Sequence, residues 1–166
     1  MVTEQWKVKF LEAMRRSSRS QEMEFLALVD QVASSCSIDV ARVLMKSFSS
    51  RADYGTQERV VSVLASANRR DAITALLEEL PRLILEAPDW AEDLVGQEID
   101  RCHELLMELA RGSSQEIVNS LRKLLTKEDF LDLHPKAKLL CDLPDFGIET
   151  SSHGTANPVA RPPSAP

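Results

Sequence analysis

Glycine and aromatic residues are both scarce in this chain of 166 residues, which has five Gly, five Phe, two Trp and one Tyr. No run alternates β-branched with polar residues, so the half-buried strands of a sheet have no sequence to form from. Few aromatics leave a core of mainly Leu, Val, Ile, Ala and Met. No window approaches about 18 consecutive apolar residues, which excludes a membrane-spanning helix. The N-terminal run lacks the apolar core of a secretory signal and carries acids within its first turns. Cys36, Cys102 and Cys141 are odd in number and widely spaced, with no CxxC pair. Reduced thiols in a cytoplasmic protein are the simplest reading of that spacing. Basic residues are also short, 20 against 26 acidic, for a net charge of −6. A nucleic-acid or anionic-membrane binder needs the opposite balance.

Catalytic and metal-binding patterns are missing as well. His103, His134 and His153 are scattered, and the adjacent Cys102-His103 fits no zinc spacing. There is no P-loop, no GxGxxG and no GxSxG. No nucleophile, base and orienting group assemble at a recognisable spacing, so the chain reads as a non-enzyme without cofactor or metal.

What the chain does contain is helical periodicity, repeated in short segments. Thr3 can cap a first helix with Trp6, Phe10, Leu11 and Met14 inward. Ser20 or Gln21 begins a second, with Met23, Leu26, Leu28, Val29 and Val32 inward. Val40, Val43, Leu44 and Phe48 mark a third, and Val60, Val61, Val63 and Leu64 a fourth. Asn68 or Asp71 opens a fifth, with Ile73, Leu76, Leu77 and Leu80. Pro81 should kink that helix or start a new one. A sixth follows Pro88 and ends at Gly112, Ser113 or Ser114 opens a seventh, and Pro135 starts a last short helix. The expectation is an all-α domain over residues 1–148 with about eight short antiparallel helices, packed as an irregular bundle or a HEAT-like stack. Residues 149–166 are rich in Pro and Ser and read as a disordered tail.

Charge is unevenly placed. Residues 1–20 hold five bases and two acids, whereas residues 78–104 hold nine acids and two bases. Within the second segment lies "EAPDWAEDLVGQEIDR". Asp89 and Glu92 have capping-box spacing, worth roughly 1 kcal/mol, and Trp90, Leu94 and Val95 form an inward stripe. The flanking acids exceed what a helix start requires. They form either a solvated face or a surface that steers a basic partner. The second unusual segment, "RADYGTQERV", reads as a helix start with Asp53 capping and Gly55 relieving the turn. It also reads as a loop presenting Arg51 and Tyr54, residue types favoured as interface anchors. The candidate partner-binding residues are therefore Arg51, Tyr54, Glu79, Glu86, Asp89, Glu92, Asp93, Glu98 and Asp100.

Three of these features together resemble a known family. They are the turn Asp53-Tyr54-Gly55-Thr56-Gln57-Glu58, the run Glu79-Leu80-Pro81-Arg82-Leu83, and the helix start Pro88-Asp89-Trp90-Ala91-Glu92. In this order the pattern is similar to the mostly α-helical immunity protein 30 family of bacterial polymorphic toxin systems, over roughly residues 40–130. The resemblance implies a cytoplasmic antitoxin that binds its cognate toxin domain stoichiometrically, with no active site. The acidic segment suits a basic toxin. It equally suits a basic client of a HEAT-like adaptor or scaffold with no toxin partner. Neither role involves nucleic acid or a membrane.

Overall fold

Thr3 opens the first helix as expected, its hydroxyl accepting from the Trp6 amide. The computed structural model of the chain describes residues 3–15, 18–51 and 55–141. Tyr54, Asp53, the 148/149 boundary and the tail lie outside these residues. Among them the elements are α1 (Glu4–Ala13), α2 (Arg19–Gln31), α3 (Ile38–Met45), α4 (Thr56–Ser66), α5 (Arg69–Glu86), α6 (Pro88–Arg111), α7 (Gln115–Leu125), α8 (Glu128–Leu133), a 3-10 turn (Pro135–Ala137) and α9 (Lys138–Cys141), with no strand.

The fold is all-α. Helices two apart in sequence pack side by side, α2 on α4, α3 on α5 and α5 on α7, while α5 also packs broadly against α6. That alternation is the arrangement of stacked helix pairs. Buried residues from Trp6 to Leu140 form one core. At its N-terminal end Trp6 stacks on Phe10 at 5.1 Å, Phe25 meets Phe10 at a tilt at 5.0 Å, and the Trp6 indole donates to the Leu28 carbonyl at 3.0 Å.

Several helix ends follow from their cap chemistry. The Asn68 carboxamide accepts from the amides of Arg70 and Asp71, and Ser114 accepts from Ile117. Gly112 ends α6. Gly55 precedes α4 at φ +84°, a left-handed conformation that L side chains rarely adopt. The second helix starts earlier than its apolar period suggests, capped by Ser18. Met23 on that helix faces solvent at 61 % exposure instead of the core, and Leu11 is likewise exposed.

Two expectations fail for physical reasons, and a third holds in part. Pro81 does not start a new helix, because α5 runs through it for 18 residues. An internal proline costs about 3 kcal/mol, and the fully buried Leu77, Leu80 and Leu83 on either side offset a penalty of that size. The interruption falls instead in α6, at Cys102 (φ −157°, ψ 54°). Nor does Asp89 cap α6. Pro88 takes the first helical position, where its missing N–H is harmless, and Ala87 becomes the cap residue with no side-chain hydrogen bond. Asp89 is left in the first turn, favourable to the helix dipole but worth less than a cap. The stripe of Trp90, Leu94 and Val95 does face the core, but Trp90 is only half-buried, its ring 5.0 Å from that of Phe48.

Candidate partner-binding surface

The acids of residues 78–104 are mostly committed to partners within the fold. Arg42 on α3 grips Glu78 on α5 through two hydrogen bonds of 2.7 Å, a bidentate fork. This holds Glu78 below the usual carboxylate range and raises Arg42. Arg82 pairs with Glu79 and, at 2.9 Å, with Glu86. It also donates to the carbonyls of Met45 (3.1 Å) and Phe48 (3.2 Å), placing a cation on the negative end of α3. Burial works to lower the Arg82 pKa, but the hydrogen bonds to Glu79 and Glu86 outweigh it and the pKa rises.

Farther along, Glu92 pairs with Lys127. The Glu98 side chain is only 12 % exposed and meets Arg69 at 2.8 Å. Its second oxygen accepts from the Cys102 thiol at 3.4 Å; burial, and then this hydrogen bond, raise that thiol's pKa. Asp100 meets His134 Nδ1 at 2.8 Å, and the Asp100 carbonyl accepts from Lys136. The His134 ring is packed against Phe130 and the Gly96 backbone, so this Asp–His pair is a clamp between α6 and the 3-10 turn.

Of the candidate acids, Asp89 and Asp93 are exposed without an ion-pair partner among the described residues, one helical turn apart on α6. Arg51 is exposed, and its carbonyl accepts from the buried Gln57, whose own carbonyl takes the Ser49 amide at 2.7 Å. Tyr54 lies outside the described residues.

Glu79 and Glu86 converge with residues that the sequence did not single out. An open depression of about 370 Å³ is lined by Glu78, Glu79, Pro81, Arg82, Leu85 and Glu86 from α5 and by Glu116 from α7. Leu85, at 78 % exposure, stands among them. Its position was readable: the buried Leu76, Leu80 and Leu83 define one helical stripe, and Leu85 falls off it. Glu116 reaches the depression through tertiary packing and gave no such signal. The lining offers acceptor oxygens around an apolar centre, which suits holding a cationic group beside an apolar side chain. Among the described residues no group of three or more His, Cys, Asp or Glu could hold a metal ion, and no helix is long and apolar enough to cross a membrane.

No protein-family model, curated protein or solved structure matches this chain.

Proposed function

We propose that the chain is an immunity-type protein that neutralises a toxin domain by stoichiometric binding, with the Leu85 depression and the adjoining outer face of α6 as its contact surface. The observation that carries this is an exposed leucine ringed by carboxylates. Arg42 and Arg82 already fix three of them, so little rotamer freedom is lost when a partner docks. Such a surface selects a basic partner that brings an apolar side chain to the centre. The resemblance to immunity protein 30 sequences supplies the toxin as the class of partner. The stacked helix pairs support a second reading, an adaptor that uses the same surface for a basic cellular client.

The test begins with co-purification of the chain and the product of its neighbouring gene, then measures stopped-flow association at two ionic strengths. Leu85→Ala should weaken the complex at least tenfold, and Asp89→Lys with Asp93→Lys should slow association and flatten its salt dependence. A cognate toxin whose association ignores both changes refutes the surface. Capture of a basic housekeeping protein, with no toxin bound, favours the adaptor.

A further inference from the structure

A second cleft, of about 420 Å³, lies between the first turn of α1 and the outer stripe of α3. Its lining holds three bases and two acids, whereas the Leu85 depression has one base and four acids. Trp6, Val40 and Val43, all buried, form an apolar floor. Because the Trp6 indole N–H is held by the Leu28 carbonyl, the ring contributes carbon to that floor. Lys7 stands on the α1 side, and Arg42 and Lys46 on the α3 side. The two acids of the lining, Glu4 and Asp39, extend into solvent with side chains 88 % and 87 % exposed, while those of Lys7 and Arg42 are about half as exposed. Arg42 is engaged by Glu78 and Asp39. Lys7 meets Glu4 only at 4.0 Å, and Lys46 has no ion-pair partner among the described residues. The positive end of the α1 dipole adds to this field.

We propose that the α1–α3 cleft binds an acidic peptide segment of a partner protein. Its carboxylates would lie between Lys7 and Lys46, and an apolar side chain would rest on the floor of Trp6, Val40 and Val43. The volume is in the range of ligand-sized pockets. The apolar floor and the chain's net charge of −6 favour a short peptide over a nucleic acid, whose dense charge the rest of the surface repels. This inference does not depend on the toxin reading, because the two surfaces select opposite charges.

The experiment uses Trp6 as its own reporter. The chain has two tryptophans, so Trp90→Phe leaves Trp6 alone in the emission spectrum. A capped octapeptide of alternating Glu and Leu should shift that emission saturably, and its Lys/Leu counterpart should not. Lys7→Glu with Lys46→Glu should weaken the Glu/Leu peptide at least tenfold, and Lys46→Ala should weaken it by a smaller factor. Helical circular dichroism confirms that the variants remain folded. An unmoved Trp6 emission, an equal response to the Lys/Leu peptide, or undiminished binding by the folded double variant overturns the proposal. So does an equal response to a short oligothymidylate, which would make the cleft a general polyanion site.

Discussion

Replacing Gly96 with alanine sets two known effects against each other. In a helix interior the change should stabilise, since glycine is about 1 kcal/mol less favourable than alanine. Here the added Cβ would lie 2.1 Å from His134 Nε2, with the neighbouring ring carbons at 2.4 and 2.6 Å. The imidazole cannot stay. If it swings out, its 2.8 Å bond to Asp100 is lost, as is its ring contact with Phe130. A hydrogen bond to a charged group contributes about 1.5–3 kcal/mol, less at this partly exposed site. If the ring is held, overpacking costs about 1–3 kcal/mol. Either route matches or exceeds the propensity gain, so Gly96→Ala should lower stability by up to about 2 kcal/mol in urea denaturation. In a His134→Ala background the same change should be neutral or stabilising, giving a coupling energy above about 1 kcal/mol in the double-mutant cycle. A single Gly96→Ala variant more stable than the parent by the full propensity gain would show that His134 is not seated against Gly96.

Trp6→Ala should cost about 3–5 kcal/mol, because Trp6 is 7 % exposed and its indole holds the Leu28 carbonyl. Trp90→Ala should cost clearly less, since that ring is half-buried beside Phe48, and equal losses in denaturation would contradict the packing described. Burial, and secondarily Asp71, pushes the Cys36 thiol up to about 11. With Cys102 and Cys141 replaced by serine, iodoacetamide at pH 8 should therefore modify Cys36 in the folded protein about a hundredfold more slowly than an unperturbed thiol. A rate equal to that of the unfolded chain would refute the assignment. Glu98→Lys should destabilise by about 1–3 kcal/mol, placing a second cation against Arg69 at a site only 12 % exposed. The exposed Asp89→Lys should change stability by less than about 1 kcal/mol, and a loss from it equal to that from Glu98→Lys would contradict the pairing.

Local chemistry was readable wherever a few neighbouring residues decide the outcome. Thr3, Asn68, Ser114 and Gly112 mark helix ends because each acts on the amides or carbonyls of its own turn. The sets Val40, Val43, Leu44 and Ile73, Leu76, Leu77, Leu80 are buried as their spacing predicts. What escaped depends on residues far apart in the chain. Arg42 and Glu78 are separated by 36 positions, Arg69 and Glu98 by 29, and Asp100 and His134 by 34. No periodicity announces such pairs. An acidic run that reads as open surface is for that reason largely a set of struts between helices. Pro81 and Asp89 misled in a related way, since buried leucines outweighed a local penalty at one and Pro88 displaced a local cap at the other.

The Arg42–Glu78 pair has one further consequence. Arg42 forms part of the wall of the α1–α3 cleft, and Glu78 part of the rim around Leu85, so one bidentate bond is common to both surfaces. An anion that draws Arg42 toward itself leaves Glu78 uncompensated and deepens the negative potential around Leu85. A cation that captures Glu78 releases Arg42 to the cleft. Thermodynamic reciprocity makes these two effects equal, so ligands of opposite charge on the two surfaces would each raise the affinity for the other by the same factor. The bond would then act as a shared counter-ion, exchanged within the protein instead of with the solvent.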